Sequence, residues 1–201
     1  MPQDGKKLIA YMENKGWRIS AINILYLEDA NADTWEPLPE QPDQWNDVRI
    51  LVRNTGEIIM SAEATVEPGR YYTENRIDPL GAFRIANDVQ FKDAWQIGSH
   101  KTQYPALVQV EDVKGYRDGN EDFMRPGDVV TEGMYGINHH TTGDNANAAP
   151  PTLVGRWSAG CLVGRYASTH YNVFMPTLIN SGRKRFDAAV IPGDTFAKFR
   201  P

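Results

Sequence analysis

Residues 136–165 read GINHHTTGDNANAAPPTLVGRWSAGCLVGR. The stretch holds the chain's only cysteine, Cys161, in a small-residue turn Ser158-Ala159-Gly160-Cys161, and two of its four histidines, His139 and His140. A thiol becomes a nucleophile when a neighbouring imidazole lowers its pKa and holds the thiolate as an ion pair, or takes its proton during attack. Small residues before the sulfur let a substrate carbonyl approach the backbone, and the N–H groups of such a turn can face a developing oxyanion. The chemistry this suits is acyl transfer, with Cys161 as nucleophile, Gly160 opening the turn and His140 or His139 carrying the proton to the leaving amine. Adjacent residues on an extended strand face opposite ways, so only one histidine meets Cys161. His140, which borders the following loop, is the choice over His139. Ser158 either bonds the imidazole or shapes the turn, and Arg165 or Arg156, with Trp157 beside them, are the candidates for holding a substrate carboxylate.

The remainder of the chain removes competing chemistries. A net charge of -5 argues against a nucleic-acid binder, which would show a basic face, and residues 183–185 (RKR) read as a solvated turn. One cysteine and four histidines cannot assemble a multi-thiolate zinc site, so neither a structural metal nor a cofactor is expected. Asp118, Asn120 and Asp122 alternate like oxygen ligands, but Phe123 and Val129 stand where a calcium loop needs glycine and glutamate. That segment reads as an acidic turn. His100, in a Gly-Ser-His-Lys turn, and His170, on a C-terminal helix, read as structural.

A single domain over 1–201 is expected, with an N-terminal helix within 1–16 and a β-rich body over 45–201. Residues 6–15 carry Leu8, Ile9, Tyr11 and Met12 at near-helical spacing, and 22–27 (INILYL) suit a buried strand. Further strands are predicted over 48–52, 58–66, 81–85, 106–110, 129–138, 162–163 and 188–191, with 29–43 as a surface loop. Residues 88–95 are either a short helix or a loop. Residues 141–152 form a flap, 168–179 a helix capped by Ser168 or Thr169 and interrupted by Pro176, and the end after Gly193 a polar tail.

The combination of His140, Val154-Gly155, Ser158, Gly160, Cys161 and Leu162 resembles the catalytic signature of the L,D-transpeptidase (YkuD-type) family. Ala159 and Val163 stand where that family commonly has His or Arg and Arg, with Arg165 two places on. Its His-Gly pair is replaced by His140-Thr141-Thr142-Gly143. Residues 65–72 (TVEPGRYY) loosely resemble its substrate-side segment. The resemblance implies a mostly β catalytic domain, a β-sandwich or barrel with a few short helices. Its Cys161 would form a thioester with a peptidoglycan stem peptide and pass the acyl group to an amine or to water.

The opening residues hold no apolar run of signal-peptide length and nothing later reaches membrane-spanning length, so no export signal or membrane span is expected. A wall substrate would then be reached from a virion or through a lysis system, with the partners these imply. The contrasting expectation is a non-catalytic structural or binding protein of this fold, such as a phage particle component.

Overall fold

A computed structural model describes residues 3–101 and 103–201. In chain order the elements are α1 (Gly5–Asn14), β1 (Ile22–Glu28), β2 (Asp47–Arg53), β3 (Ile58–Thr65), α2 (Arg70–Glu74), β4 (Ala82–Ile85), β5 (Val89–His100), β6 (Tyr104–Gln109), β7 (Val113–Asp118) and β8 (Val129–Gly133). They continue with β9 (His139–Thr141), β10 (Leu162–Gly164), α3 (Ala167–Thr169), a π turn (His170–Phe174), α4 (Met175–Asn180), β11 (Arg185–Pro192) and α5 (Gly193–Lys198). Eight strands close into a barrel in the order β1-β11-β5-β6-β9-β10-β3-β2, and β4-β7-β8 form a separate small sheet. The molecule is mostly β, and no described helix is long and apolar enough to cross a membrane.

The run INILYL is apolar throughout because both faces of β1 are covered. Ile24 and Tyr26 point into the barrel with Leu51, Trp95, Leu107, Leu162 and Phe174. Leu25 and Leu27 point outward against Leu8, Tyr11 and Met12 of α1 and Phe196 of α5. The barrel is thinnest at β9 and β10, three residues each, where β9 meets β6 through the single pair Leu107–His139.

Several sequence expectations change. Residues 89–95 belong to β5, a 12-residue strand whose alternation is hidden in the sequence by the charges at Lys92 and Asp93, with left-handed backbone at Asp93 and at Asp88 just before it. The Asp93 N–H is taken by the Asp187 carboxylate at 2.7 Å, where the β5–β11 register shifts. The strand expected over 129–138 stops at Gly133, and the side chain of Gln109 then stands in for a strand partner. Its Oε1 accepts the N–H groups of Tyr135 (3.1 Å) and Ile137 (2.8 Å).

The helix of residues 168–179 begins at Ala167 without a side-chain cap, and its π turn accommodates Pro176, which offers no N–H. The polar tail is instead α5, with Phe196 packed in the core and Lys198 paired with Asp194 at 2.7 Å. In the acidic turn, Asp118 is buried beside Arg84 and accepts the Phe123 N–H at 3.1 Å. Asn120 donates to Asp122 at 2.8 Å, so the three side chains serve one another and their neighbours.

Buried arginine–carboxyl contacts dock the small sheet on the barrel. Arg84 of β4 meets Glu67 at 2.6 Å, and Arg125 meets Glu28 of β1 at 2.5 Å. Acids outnumber bases here. Burial, aided by Glu28 and Glu40 and opposed by Arg84 and Arg125, pushes Glu67 up to about 8, and burial with Glu28 pushes Asp29 to about 7. These carboxyls hold protons in the folded state that the unfolded chain has released, so their stabilisation is present at low pH and lost as pH rises through 7 to 8. The histidines act oppositely: with folded values below 6.5, their contribution is present above that pH and lost as it falls. The melting temperature should therefore peak at about pH 6.5 and decline toward pH 8.5, and Glu67→Gln should flatten the alkaline decline. A wild-type profile flat over that range in a thermal melt series would contradict the account.

Candidate active site

β9 presents His139 and His140 to opposite faces, and their surroundings differ accordingly. His139 is fully buried in the barrel, edge-on to Trp95 at 4.4 Å between ring centroids. Arg49 Nε donates to Tyr26 Oη at 2.7 Å, so Tyr26 donates its hydroxyl to His139 Nδ1 at 3.0 Å. That chain makes His139 a neutral imidazole with its proton on Nε2, a structural role. His140 faces the cysteine side. Its Nδ1–H donates to the Thr141 carbonyl at 3.0 Å, which leaves Nε2 as the free proton acceptor.

Arg49 holds this corner together. Its Nη2 donates to the carbonyls of His140 (2.9 Å) and Leu162 (2.5 Å), tying β9 to the residue that follows Cys161. A Cβ on Gly164 would come within 2.8 Å of the same guanidinium, so only glycine fits there without displacing it.

The turn that carries Cys161 is shaped by Ser158, whose hydroxyl donates to the Cys161 carbonyl at 2.8 Å and accepts the Gly160 N–H at 3.1 Å. Ser158 is therefore a turn former and makes no bond to the imidazole. Gly160 has φ +125°, and a Cβ there would lie 2.7 Å from the Phe83 carbonyl. The Cys161 N–H has no acceptor among the described residues. The half-buried Sγ lies 3.5 Å from the Gly136 carbonyl, and the Asn138 backbone adds a hydrogen bond to the sulfur.

His100 joins the site, contrary to the structural role expected from its sequence. It stacks on His140 with 3.9 Å between ring centroids and 18° between planes. One donor atom from each of His100, His140 and Cys161 lies within 4.8 Å of the others. Asn138 fixes the tautomer: its Oδ1 accepts the Gln109 N–H at 3.0 Å, so its Nδ2 donates to His100 Nδ1 at 3.1 Å. The His100 proton therefore sits on Nε2. These donor types are those of zinc, but a zinc-bound His100 would have to bind through Nε2 and carry its proton on Nδ1, against the Asn138 donor. The set fits proton handling better than metal binding. His170 is structural, bonded to the Pro105 carbonyl at 2.9 Å.

Of the expected carboxylate holders, Arg165 already has a carboxylate partner, while Arg156 and Trp157 are exposed. Arg165 pairs with Glu63 at 2.7 Å and donates to the Pro151 carbonyl at 3.0 Å, anchoring the 141–152 loop. Arg156 lies over the Tyr71 ring at 3.8 Å. Residues 65–72 do pack beside the cysteine turn, where the Gly69 N–H donates to the Ser158 carbonyl at 2.9 Å. Comparison with family models, with curated proteins and with solved structures finds no match for the chain.

Electrostatics keep the pair neutral at rest. Burial pushes the Cys161 thiol up, with the Asn138 hydrogen bond and Lys101 opposing. Burial, then His100, holds His140 well below the ordinary imidazole value. Of the two arrangements the sequence left open, these directions favour a thiol beside a neutral imidazole over a resting thiolate–imidazolium pair. Alkylation of the free protein by iodoacetamide should accordingly show a midpoint above the ordinary thiol value of about 8.5. A reactive plateau extending below pH 6, read by mass spectrometry, would instead reveal a resting ion pair.

Proposed function

We propose that the protein is a cysteine-dependent acyl-transfer enzyme acting on peptidoglycan stem peptides, as L,D-transpeptidase or peptidase. The observation that carries the reaction class is the placement of His140 beside Cys161 with its Nδ1–H anchored and its Nε2 free. The Cys161 N–H, free in the turn, supports an oxyanion site. The substrate class is supported by the resemblance of His140, Val154-Gly155, Ser158, Gly160, Cys161 and Leu162 to the family signature.

In this reading the Cys161 thiol gives its proton to His140 Nε2 as sulfur bonds to the substrate carbonyl carbon. Collapse of the tetrahedral adduct breaks the C–N bond, and the imidazolium returns the proton to the departing amine. The thioester then passes its acyl group to an acceptor amine, giving a cross-link, or to water, giving cleavage.

A second reading, a non-catalytic particle or binding protein, draws support from the raised thiol and the neutral resting pair. Incubation with purified sacculi or a tetrapeptide donor separates the two. The catalytic reading expects an acyl adduct on Cys161 by mass spectrometry and its absence in Cys161→Ala. His140→Gln should lower adduct formation by about 10²–10⁴-fold. His139→Gln should retain activity and instead lower the melting temperature through loss of its Tyr26 bond. Folded wild-type protein that yields neither adduct nor product leaves the structural reading.

A further inference from the structure

Beside the cysteine turn lies a cavity of about 260 Å³, walled by Tyr72, Phe83, Tyr135, Ile137, Arg117 and Ala159. At about 30 Å³ per water this is room for eight or nine waters, or one amino-acid residue. It adjoins the nucleophile through the backbone: Ala159 is two residues from Cys161, and Gly160 rests against Phe83 and Ile137.

The polar content of this cavity is unusual for its state of pairing. The Arg117 side chain is only 9% exposed. Its nearest acceptors, the Gly81 carbonyl and Asp78 Oδ2, both stand at 3.4 Å, beyond the usual N–H···O range of about 2.7–3.2 Å. Its Nε has no hydrogen-bond partner among the described residues. The neighbouring Arg84 and Arg125 also leave nitrogens without a hydrogen-bond partner, but each has a carboxylate close by, at 2.6 and 2.5 Å. What faces the Arg117 cation is aromatic: its guanidinium lies 4.5 Å from the Tyr135 centroid and 5.2 Å from that of Phe83. Asp78 cannot close the gap freely, because its Oδ1 accepts the Leu80 N–H at 2.9 Å. A buried guanidinium with this much unused donor capacity matches an incoming carboxylate, which would accept the fork of N–H groups while the rings cover its carbon chain.

We propose that this cavity is a subsite for a carboxylate-bearing residue of the peptide ligand, anchored by Arg117 in competition with Asp78. Its link to the acyl donor rests on the reading of Cys161 as nucleophile, whereas carboxylate binding itself does not. Arg117 thereby takes the role that the sequence suggested for Arg165 or Arg156.

The test uses the full chain carrying Cys161→Ala, so that binding is read without chemistry. The probes are N-acetyl-glutamate α-amide and its neutral isostere N-acetyl-glutamine α-amide, titrated with amide NMR detection. The acid should shift the amides of Phe83, Arg117, Tyr135 and Ala159 and bind about tenfold more tightly than the amide, the worth of one charge-assisted hydrogen bond. Arg117→Met should abolish that preference and Arg117→Lys should retain part of it. Asp78→Asn should strengthen acid binding by removing the competitor, and it decides the matter if Arg117→Met does not fold. Equal binding of the two probes, shifts confined to other regions, or an unchanged preference in Asp78→Asn would overturn the proposal. Carboxylate preference without a Cys161 adduct on sacculi keeps the subsite and removes the enzyme reading. An adduct without carboxylate preference does the reverse.

Discussion

A fully buried guanidinium with no carboxylate partner among the described residues organises the thin side of the barrel. Arg49 is only 2% exposed, and its charge is met by neutral acceptors: Tyr26 Oη and the His140 and Leu162 carbonyls, with the Phe174 ring 4.6 Å away. An ion taken from water costs several kcal/mol unless such partners are fixed in place. The strands that carry those partners are therefore constrained as a set. β9 and β10 are too short to hold their register by ladder hydrogen bonds alone, and Arg49 from β2 supplies what they lack.

The same cation adds to what burial does to the protonation states around it. Its positive charge, added to burial, lowers the pKa of His139, His140 and His170. His140 is kept neutral first by burial and then by His100, with a smaller contribution from the group that holds its carbonyl, and a neutral imidazole with a free Nε2 can accept a proton where an imidazolium cannot. The cost falls on the thiol, which receives no resting ion-pair support and in the proposed reaction would ionise only as the bond forms.

How much of this was readable from the chain depends on the range of the interaction. β1, β2 and β3 were legible because burial on one or both faces writes itself into successive residues. β5 was not, since Asp93 and Lys92 interrupt its alternation for the sake of a contact with Asp187, 94 residues away. The Cys161 turn and His140 were legible because small residues and chemistry-bearing side chains lie in one stretch. His100 and Arg49 leave no local trace: they reach the site from 40 and 91 positions away from His140, through the barrel closure. Arg165 and Arg156 were suggested by nearness to Cys161, whereas the groups they meet, Glu63 and Tyr71, come from distant strands and loops that nearness along the chain does not reveal.

The barrel and the small sheet divide the work between them. β9 and the cysteine turn bring His140 and Cys161, while β4 and β7 bring Phe83 and Arg117. They meet where Gly160 packs on the Phe83 carbonyl, a contact that any side chain would push apart. The Arg84–Glu67 and Arg125–Glu28 pairs hold the two bodies at that distance. Arg117, left under-paired between them, can be spared from that docking because these two pairs already hold it. On the proposed reading, that separation would let the cavity take up a ligand's charge without disturbing Cys161, provided the glycine contact is kept.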